Sequence, residues 1–412
     1  MTHNINVRSG VRFGTYYFIC LLWGALATPL HAAETQLIHA EPVNAEQKAV
    51  EWPYRSHRDS EGYVNSNPEI GPDMSTLGNT LKRYIFDKRI DPVPEKMALA
   101  QVDHRDLQNE KEDAFVHRLG HSSVLLKLDG GLWLTDPVFS KRASPVQWFG
   151  PKRFHPVPLE VDALPDIEGV IISHDHYDHL DKATIKRIHT KVKHFIVPLG
   201  VDKHLIEWGV PGQKIHALDW WQTIDIKNVS LTATPAQHFS GRGLFDRNHT
   251  LWASWVIKTD KHSVFFSGDG GYFDGFKLIG ERFGPFDLTL METGAYDRNW
   301  ADIHMLPEQS VQAHIDLQGK VLMPIHNSTF DLALHPWYEP LERLAASAEK
   351  NGVEIATPII GEKVFLDSPR NNIAWWRNRQ SDNRSSQINS SHVNKVTNNK
   401  LNVFDQSLTL NK

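Results

Sequence analysis

Cysteine is nearly absent, with one residue in 412, Cys20, inside an N-terminal stretch that reads as removable. A mature chain without thiols forms no disulfide and offers no thiolate to a metal, so any ion must be held by histidine or carboxylate. A basic excess is also missing. Lys and Arg number 44 against 49 Asp and Glu, for a net charge of -5 and a pI near 6.5, which excludes the positive field that nucleic-acid binders use. No nucleic-acid partner is expected. Long apolar runs are lacking as well. The run over 16–27 is shorter than the roughly 18 to 20 residues of a spanning helix. It follows Arg8 and Arg12, and Ala32 and Ala33 come after it. Residues 1–33 therefore read as an export signal cleaved near Ala32 or Ala33 rather than as a permanent anchor. Phe18 and Ile19 before Cys20 argue against a lipoprotein site. The expected location is periplasmic or secreted, in a bacterial envelope, with membrane association allowed.

The rest divides by composition. Residues 34–110 are polar and proline-punctuated, a lead-in with one helix over 76–86 that docks on the main domain or touches a membrane surface. Residues 111–369 form the principal domain. Short apolar runs closed by turn residues give strands over 123–128, 132–135, 169–173, 194–198, 229–233, 252–259, 263–267, 288–291, 320–325 and 363–366. Helical patterns fall over 182–189, 203–208, 307–316 and 340–351, with Pro307 and Pro340 suited to first-turn positions. Mixed strands and helices with hairpin-like pairs imply an α/β (α+β) class of stacked sheets covered by helices. Residues 370–412, rich in Asn, Ser, Gln and Lys, form a polar and mostly disordered tail.

What the chain has in plenty is histidine, 23 residues. Between 174 and 181, His174, Asp175, His176, Asp178, His179 and Asp181 place three histidines and three aspartates within eight residues, just past an apolar run. Three more strand candidates also end in a donor: His238, Asp269 and His326. One such residue reads as a satisfied structural group, but four strand ends together read as the rim of a site. His174 and His176 can share one ion with His238. Asp178, His179 and His326 can hold a second, and Asp269 can bridge the two. A pair of ions about 3.5–4 Å apart activates water and polarises a phosphoryl or acyl oxygen, which is hydrolase chemistry. Gly268, Gly270 and Gly271 allow a tight turn and close backbone approach around Asp269.

HDHYDHLD at 174–181, with His238, Gly268-Asp269 and His326, resembles the metallo-β-lactamase fold of hydrolases. LGHSSV (119–124), LTDPVFSKRASPVQWFGPKRF (134–154), LWASW (251–255), GDGGY (268–272), RFGPFDL (282–288) and GAYDRNW (294–300) are similar to the N-acylphosphatidylethanolamine-hydrolysing phospholipase D branch. The resemblance spans roughly 60–367. It implies an αββα sandwich and a phosphodiesterase with two Zn2+, cleaving N-acylphosphatidylethanolamine to N-acylethanolamine and phosphatidic acid. It puts the ligands on His174, His176 and His238 for one ion, Asp178, His179 and His326 for the other, and Asp269 between them as the catalytic bridge. It also matches His304 to a histidine beside the substrate phosphate, as a contact or proton donor. Where that branch has Thr, this chain has Gly270, and the loop over 301–306 is reworked.

His121 is expected behind the ligands, orienting them. Asp175 and Tyr177 alternate with the ligands and are assigned to orientation or packing, Tyr177 also to substrate contact. Arg142, Lys152 and Arg153 meet a lipid phosphate or form a solvated loop. Trp148-Phe149 and Trp220-Trp221 line an acyl channel or cover a sheet. The expected partner is a phospholipid or other phosphodiester, with peripheral membrane contact and a homodimer both compatible. Two other readings keep the metals: a lactonase or other carboxyl-ester hydrolase, and a non-catalytic metal-binding envelope protein.

Overall fold

Side-chain alternation decides the layers of this protein. The structure, a computed structural model, describes residues 54–66, 82–83, 86–108, 114–369 and 373–377. The export signal, most of the helix expected over 76–86 and nearly all of the polar tail lie outside the described residues. The chain divides into two units, 1–372 and 373–412; of the second, 373–377 contain a turn, and the first is described below.

It opens with a hairpin of β1 (His57–Arg58) and β2 (Tyr63–Val64), then α1 (His104–Gln108). There follow β3 (Phe115–Gly120), β4 (Ser123–Leu128), β5 (Gly131–Thr135), β6 (Ile167–Ile171), α2 (Lys182–Ile188), β7 (Val192–Pro198), α3 (Val201–Glu207) and β8 (Ile215–Leu218). Next are β9 (Thr223–Ile226), β10 (Val229–Thr234), β11 (Ser254–Lys258), β12 (Ser263–Phe266), α4 (Gly275–Phe283) and β13 (Phe286–Glu292). The unit closes with α5 (Pro307–Asp316), β14 (Gly319–Ile325), α6 (Glu339–Asn351), β15 (Glu354–Ile355) and β16 (Lys363–Phe365).

Two seven-stranded sheets result, ordered β16-β3-β4-β5-β6-β7-β8 and β15-β14-β13-β12-β11-β10-β9. β5 to β8 run parallel, as do β12 to β15, and the remaining pairs are antiparallel. Val264 and Phe266 of β12 join Trp133, Ile171 and Ile196 of the opposite sheet in a core between the sheets, while Phe265 points the other way, onto α4 and α5. Phe195 and Val197 similarly pack on Ile185 and Ile188 of α2 and on Val201 and Leu205 of α3. The layers run helix, sheet, sheet, helix, the αββα arrangement expected.

The boundaries differ in places. β6 stops at Ile171, two residues before the expected Ser173, so the donor-rich segment begins three residues beyond the strand. β3, β8, β9 and α4 were not anticipated. Within the lead-in, Tyr63 enters the core between the sheets, Arg83 pairs with Asp297 at 2.8 Å and Arg89 with Asp331 at 2.6 Å.

Candidate metal centre

Strands of both sheets deliver their C-terminal ends to one edge. After β6 the chain runs through His174–Leu180 to Asp181, whose side chain accepts from Ala183 N–H at 3.1 Å and caps α2. The length between strand end and cap is thereby fixed. His179 and Leu180 N–H both donate to the His176 carbonyl, at 3.0 and 2.8 Å, and this turn sorts the side chains. His174, His176, Asp178 and His179 face inward. Asp175 faces out to accept Gly241 N–H at 2.7 Å, and the Tyr177 hydroxyl donates to the Arg242 carbonyl at 2.7 Å. Tyr177 thus stands in the orienting role, tying down the loop after β10.

The inward groups form two clusters. In the first, His174 Nε2 and His238 Nε2 lie 2.9 and 3.3 Å from His176 Nδ1. In the second, Asp178 Oδ2 lies 3.6 Å from His179 Nε2 and 3.4 Å from His326 Nε2. Asp269 joins them: its Oδ2 is 3.0 Å from His179 Nε2 and 2.9 Å from His326 Nε2, and 3.9 and 4.0 Å from His174 Nε2 and His238 Nε2. All seven residues expected as ligands meet here. His121 Nε2 lies 3.0 Å from Asp178 Oδ2, and its ring centroid is 4.0 Å from that of His326; it backs the second cluster and can also reach it.

The donor set fits a cation. Asp269 Oδ1, His179 Nε2 and His326 Nε2 are buried without a hydrogen-bond partner among the described residues. Leaving such an atom unpaired costs about 1–3 kcal/mol, so three side by side call for a common partner. Protonation points the same way. Burial, then the neighbouring imidazoles, hold His174 and His238 well below their ordinary range, which leaves lone pairs ready for a metal. Burial opposes the charge on Asp178 and Asp269, yet His179 and its neighbours keep both carboxyls well below theirs. His326, despite burial, is pushed up to about 10 by Asp269 and Asp178. The second cluster thus attracts positive charge, of the kind a metal cation would supply.

Two more buried acids, which the sequence did not single out, brace the site. Asp136, just past β5, binds His179 Nδ1 at 2.6 Å and accepts Ser173 N–H at 2.7 Å, and Ser173 Oγ in turn lies 2.9 Å from His174 Nδ1. Such a carboxylate fixes which imidazole nitrogen faces the ion. Glu292, the last residue of β13, hydrogen-bonds His304 Nδ1 and accepts Gly270 N–H at 2.7 Å. Both end apolar runs, LWLT before Asp136 and FDLTLM before Glu292, so the strand-end rule that found His238 and His326 applies to them too. Backbone strain gathers here as well: His121, Asp136 and His326 have φ of 54°, 34° and 60°, each costing on the order of 1–3 kcal/mol unless its surroundings over-determine it.

His304 is buried, its ring centroid 5.2 Å from that of His238 and 5.4 Å from that of His326. The glycines also act as expected: Gly268 has φ of +56°, and a Cβ on Gly271 would sit 1.9 Å from the Asp302 carbonyl oxygen. The basic loop is occupied otherwise. Arg153 is buried against Phe330 and donates to the Val138 carbonyl, and Arg142 donates to the carbonyls of Gln147 and Gly150. Trp220 belongs to the core between the sheets and Trp148 is exposed.

Residues 133–327 match the family model described as a beta-lactamase superfamily domain. An uncharacterised protein of Mycobacterium tuberculosis is 48% identical over 262 residues, covering 63% of this chain and 70% of that protein. N-acyl-phosphatidylethanolamine-hydrolyzing phospholipase D 1 of Caenorhabditis elegans is 37% identical over 244 residues, covering 56% and 68%. A metal-dependent hydrolase of Saccharolobus solfataricus is 27% identical over 218 residues, covering 52% and 84%.

Proposed function

The chain belongs to the β-lactamase superfamily of metal-dependent hydrolases, with N-acyl-phosphatidylethanolamine-hydrolysing phospholipases D among its relatives, and on that premise we propose that it is a phosphodiesterase of phospholipase D type. Its substrate is an N-acylated phosphatidylethanolamine, cut to phosphatidic acid and an N-acylethanolamine, with two Zn2+ as cofactor. The observation that carries this reading is Asp269 Oδ2, within 4.0 Å of nitrogens from both clusters. When bound, a pair of zinc ions supplies Lewis-acid polarisation and an activated water.

The chain's own residues do the rest. His174, His176 and His238 present neutral nitrogens to one position. Asp178, His179 and His326 present a mixed set to the other. Asp136, through His179 and Ser173, keeps both sets aimed inward. His304 has Nδ1 engaged by Glu292, so Nε2, without a partner among the described residues, is the atom that, once the ring is protonated, donates to a phosphate oxygen or to the departing ethanolamine oxygen.

The test offers metal-loaded protein, with the 1–33 segment removed, vesicles containing N-acylphosphatidylethanolamine, a bis-aryl phosphodiester and lactones. The reading expects turnover of both phosphodiesters, abolished by a chelator and restored by zinc. Lactone opening without diester cleavage would favour the carboxyl-ester reading, and turnover of nothing would favour the non-catalytic one. Trp148 and Phe245, 73% and 86% exposed on the loops after β5 and β10, support peripheral membrane contact. The same vesicles report it by co-sedimentation, and protein that stays in the supernatant at every lipid concentration sinks that contact. Export to a periplasm or beyond rests on residues 1–33 alone, and cell fractionation that leaves the full chain in the cytosol would refute it.

A further inference from the structure

Glu292 is 0% exposed and held on every side. Its Oε2 accepts Gly270 N–H at 2.7 Å, its own N–H donates to Ser267 Oγ at 2.9 Å, and its carbonyl accepts from Ser310 Oγ at 2.5 Å. Oε1 is left for His304 Nδ1. His304 itself lies on the loop 293–306, between β13 and α5, where no strand or helix fixes the backbone. Two bonds tie the stretch just before His304 to the segment after β10, from Gln237 Nε2 to the Asp302 carbonyl at 2.8 Å and from His238 Nδ1 to the Ile303 carbonyl at 3.0 Å. Neither touches the His304 ring, which can turn about its side-chain torsions unless something grips it. Glu292 makes the one hydrogen bond to that ring among the described residues.

We infer that Glu292 is the positioning residue for His304: from the rigid end of β13 it takes Nδ1, which leaves Nε2 as the nitrogen that faces the substrate. A carboxylate that bonds an imidazole on the side away from the reacting atoms sets both ring angle and the nitrogen presented. The same side chain reaches Gly270, next to Asp269, so it ties His304 at the end of β13 to the segment after β12 that carries the shared carboxylate.

The inference rests on the reading of His304 as a substrate-facing group, and a double-mutant cycle separates the two. Glu292→Ala, His304→Ala and the double variant are assayed on the diester that the wild-type protein cleaves, with metal content and unfolding midpoint measured for each. Each single change is expected to lower kcat by roughly a hundredfold with KM within a few-fold. The double variant should be no slower than His304→Ala alone, and every variant should keep wild-type metal content. Glu292→Gln has one acceptor oxygen for the two donors Gly270 N–H and His304 Nδ1–H, so its turnover is expected to fall between those of Glu292→Ala and the wild-type protein. Long-range 1H–15N NMR of the metal-loaded protein gives a reading independent of turnover, in which the His304 ring resonances are expected to move in Glu292→Ala, and an unmoved ring would overturn the inference. If the Ala variant does not fold, Glu292→Met keeps the volume, removes the bond and takes its place in the cycle. Additive losses, or metal lost from Glu292→Ala, would overturn the inference and put Glu292 among the metal-holding groups. Wild-type turnover in His304→Ala would overturn both this inference and the role given to His304.

Discussion

Asp136 shows how much of the site depends on residues that touch no ion. It is fully buried, and burial pushes its carboxyl up while His179 and Ser173 pull it back. Its oxygens serve His179 Nδ1, Ser173 N–H and Ser173 Oγ. Replacing Asp136 by Ala leaves these donors unpaired in a dry place, at about 1–3 kcal/mol of stability. It also frees the His179 ring, for which metal affinity is expected to fall roughly 10- to 100-fold. Competition for zinc against a chromophoric chelator reads this directly, and unchanged affinity in a folded Asp136→Ala protein would remove Asp136 from the account. At this scale the sequence was most legible where donors are dense. Four ligands fall within six residues of one loop, and His238, Asp269 and His326 each follow a strand that was already recognisable. Asp136 and Glu292 stayed hidden because a lone acid after an apolar run also describes an ordinary solvent-facing rim. His304 was reached through resemblance, since its loop has no periodicity to place it.

Helices and strands were legible in proportion to how cleanly they alternate. β4 and α5 fall where the pattern put them, at Ser123–Leu128 and Pro307–Asp316. β3 escaped because His117 and Arg118 interrupt its apolar run, yet both are buried: Arg118 donates to Asn327 and His117 is bonded to the Gly361 carbonyl. α4 escaped because Gly275 and Gly280 read as breakers. A Cβ on Gly280 would lie 2.1 Å from the Asp316 carbonyl oxygen, so the glycine lets α4 close on the end of α5. That end of α5 also carries an acid-sensitive group. His314 is buried, its Nδ1 2.7 Å from Thr289 Oγ1, and burial lowers it from 6.5 to about 4. The unfolded chain therefore takes up a proton that the folded chain refuses. The contribution is complete above pH 6.5, is lost as pH falls from 6.5 towards about 4, and changes no further below that. It amounts to about 3 kcal/mol over that interval. Denaturant titrations across this range should give a shallower loss in His314→Gln than in the wild-type protein, and identical slopes would show that His314 carries none of it.

On the scale of the whole molecule, the site exists because two sheets end together. β6 brings four ligands from one sheet, while β10, β12 and β14 bring His238, Asp269 and His326 from the other. The core between the sheets sets their spacing, so the two clusters cannot be assembled by either sheet alone. Ions bound across that edge clamp the sheets and stabilise the fold by mass action. The ligand set was legible because each donor sits at a strand end; the pairing of β16 with β3 across nearly the whole unit was not, because strand order leaves no local trace. The whole arrangement stands on two ions in two clusters that share Asp269. Native mass spectrometry of the zinc-loaded chain, alongside His238→Ala and His326→Ala, tests it most directly. Two ions are expected in the wild-type protein and one in each variant, since each removes a ligand from a different cluster. A single ion in the wild-type chain, or two retained in both variants, would contradict it.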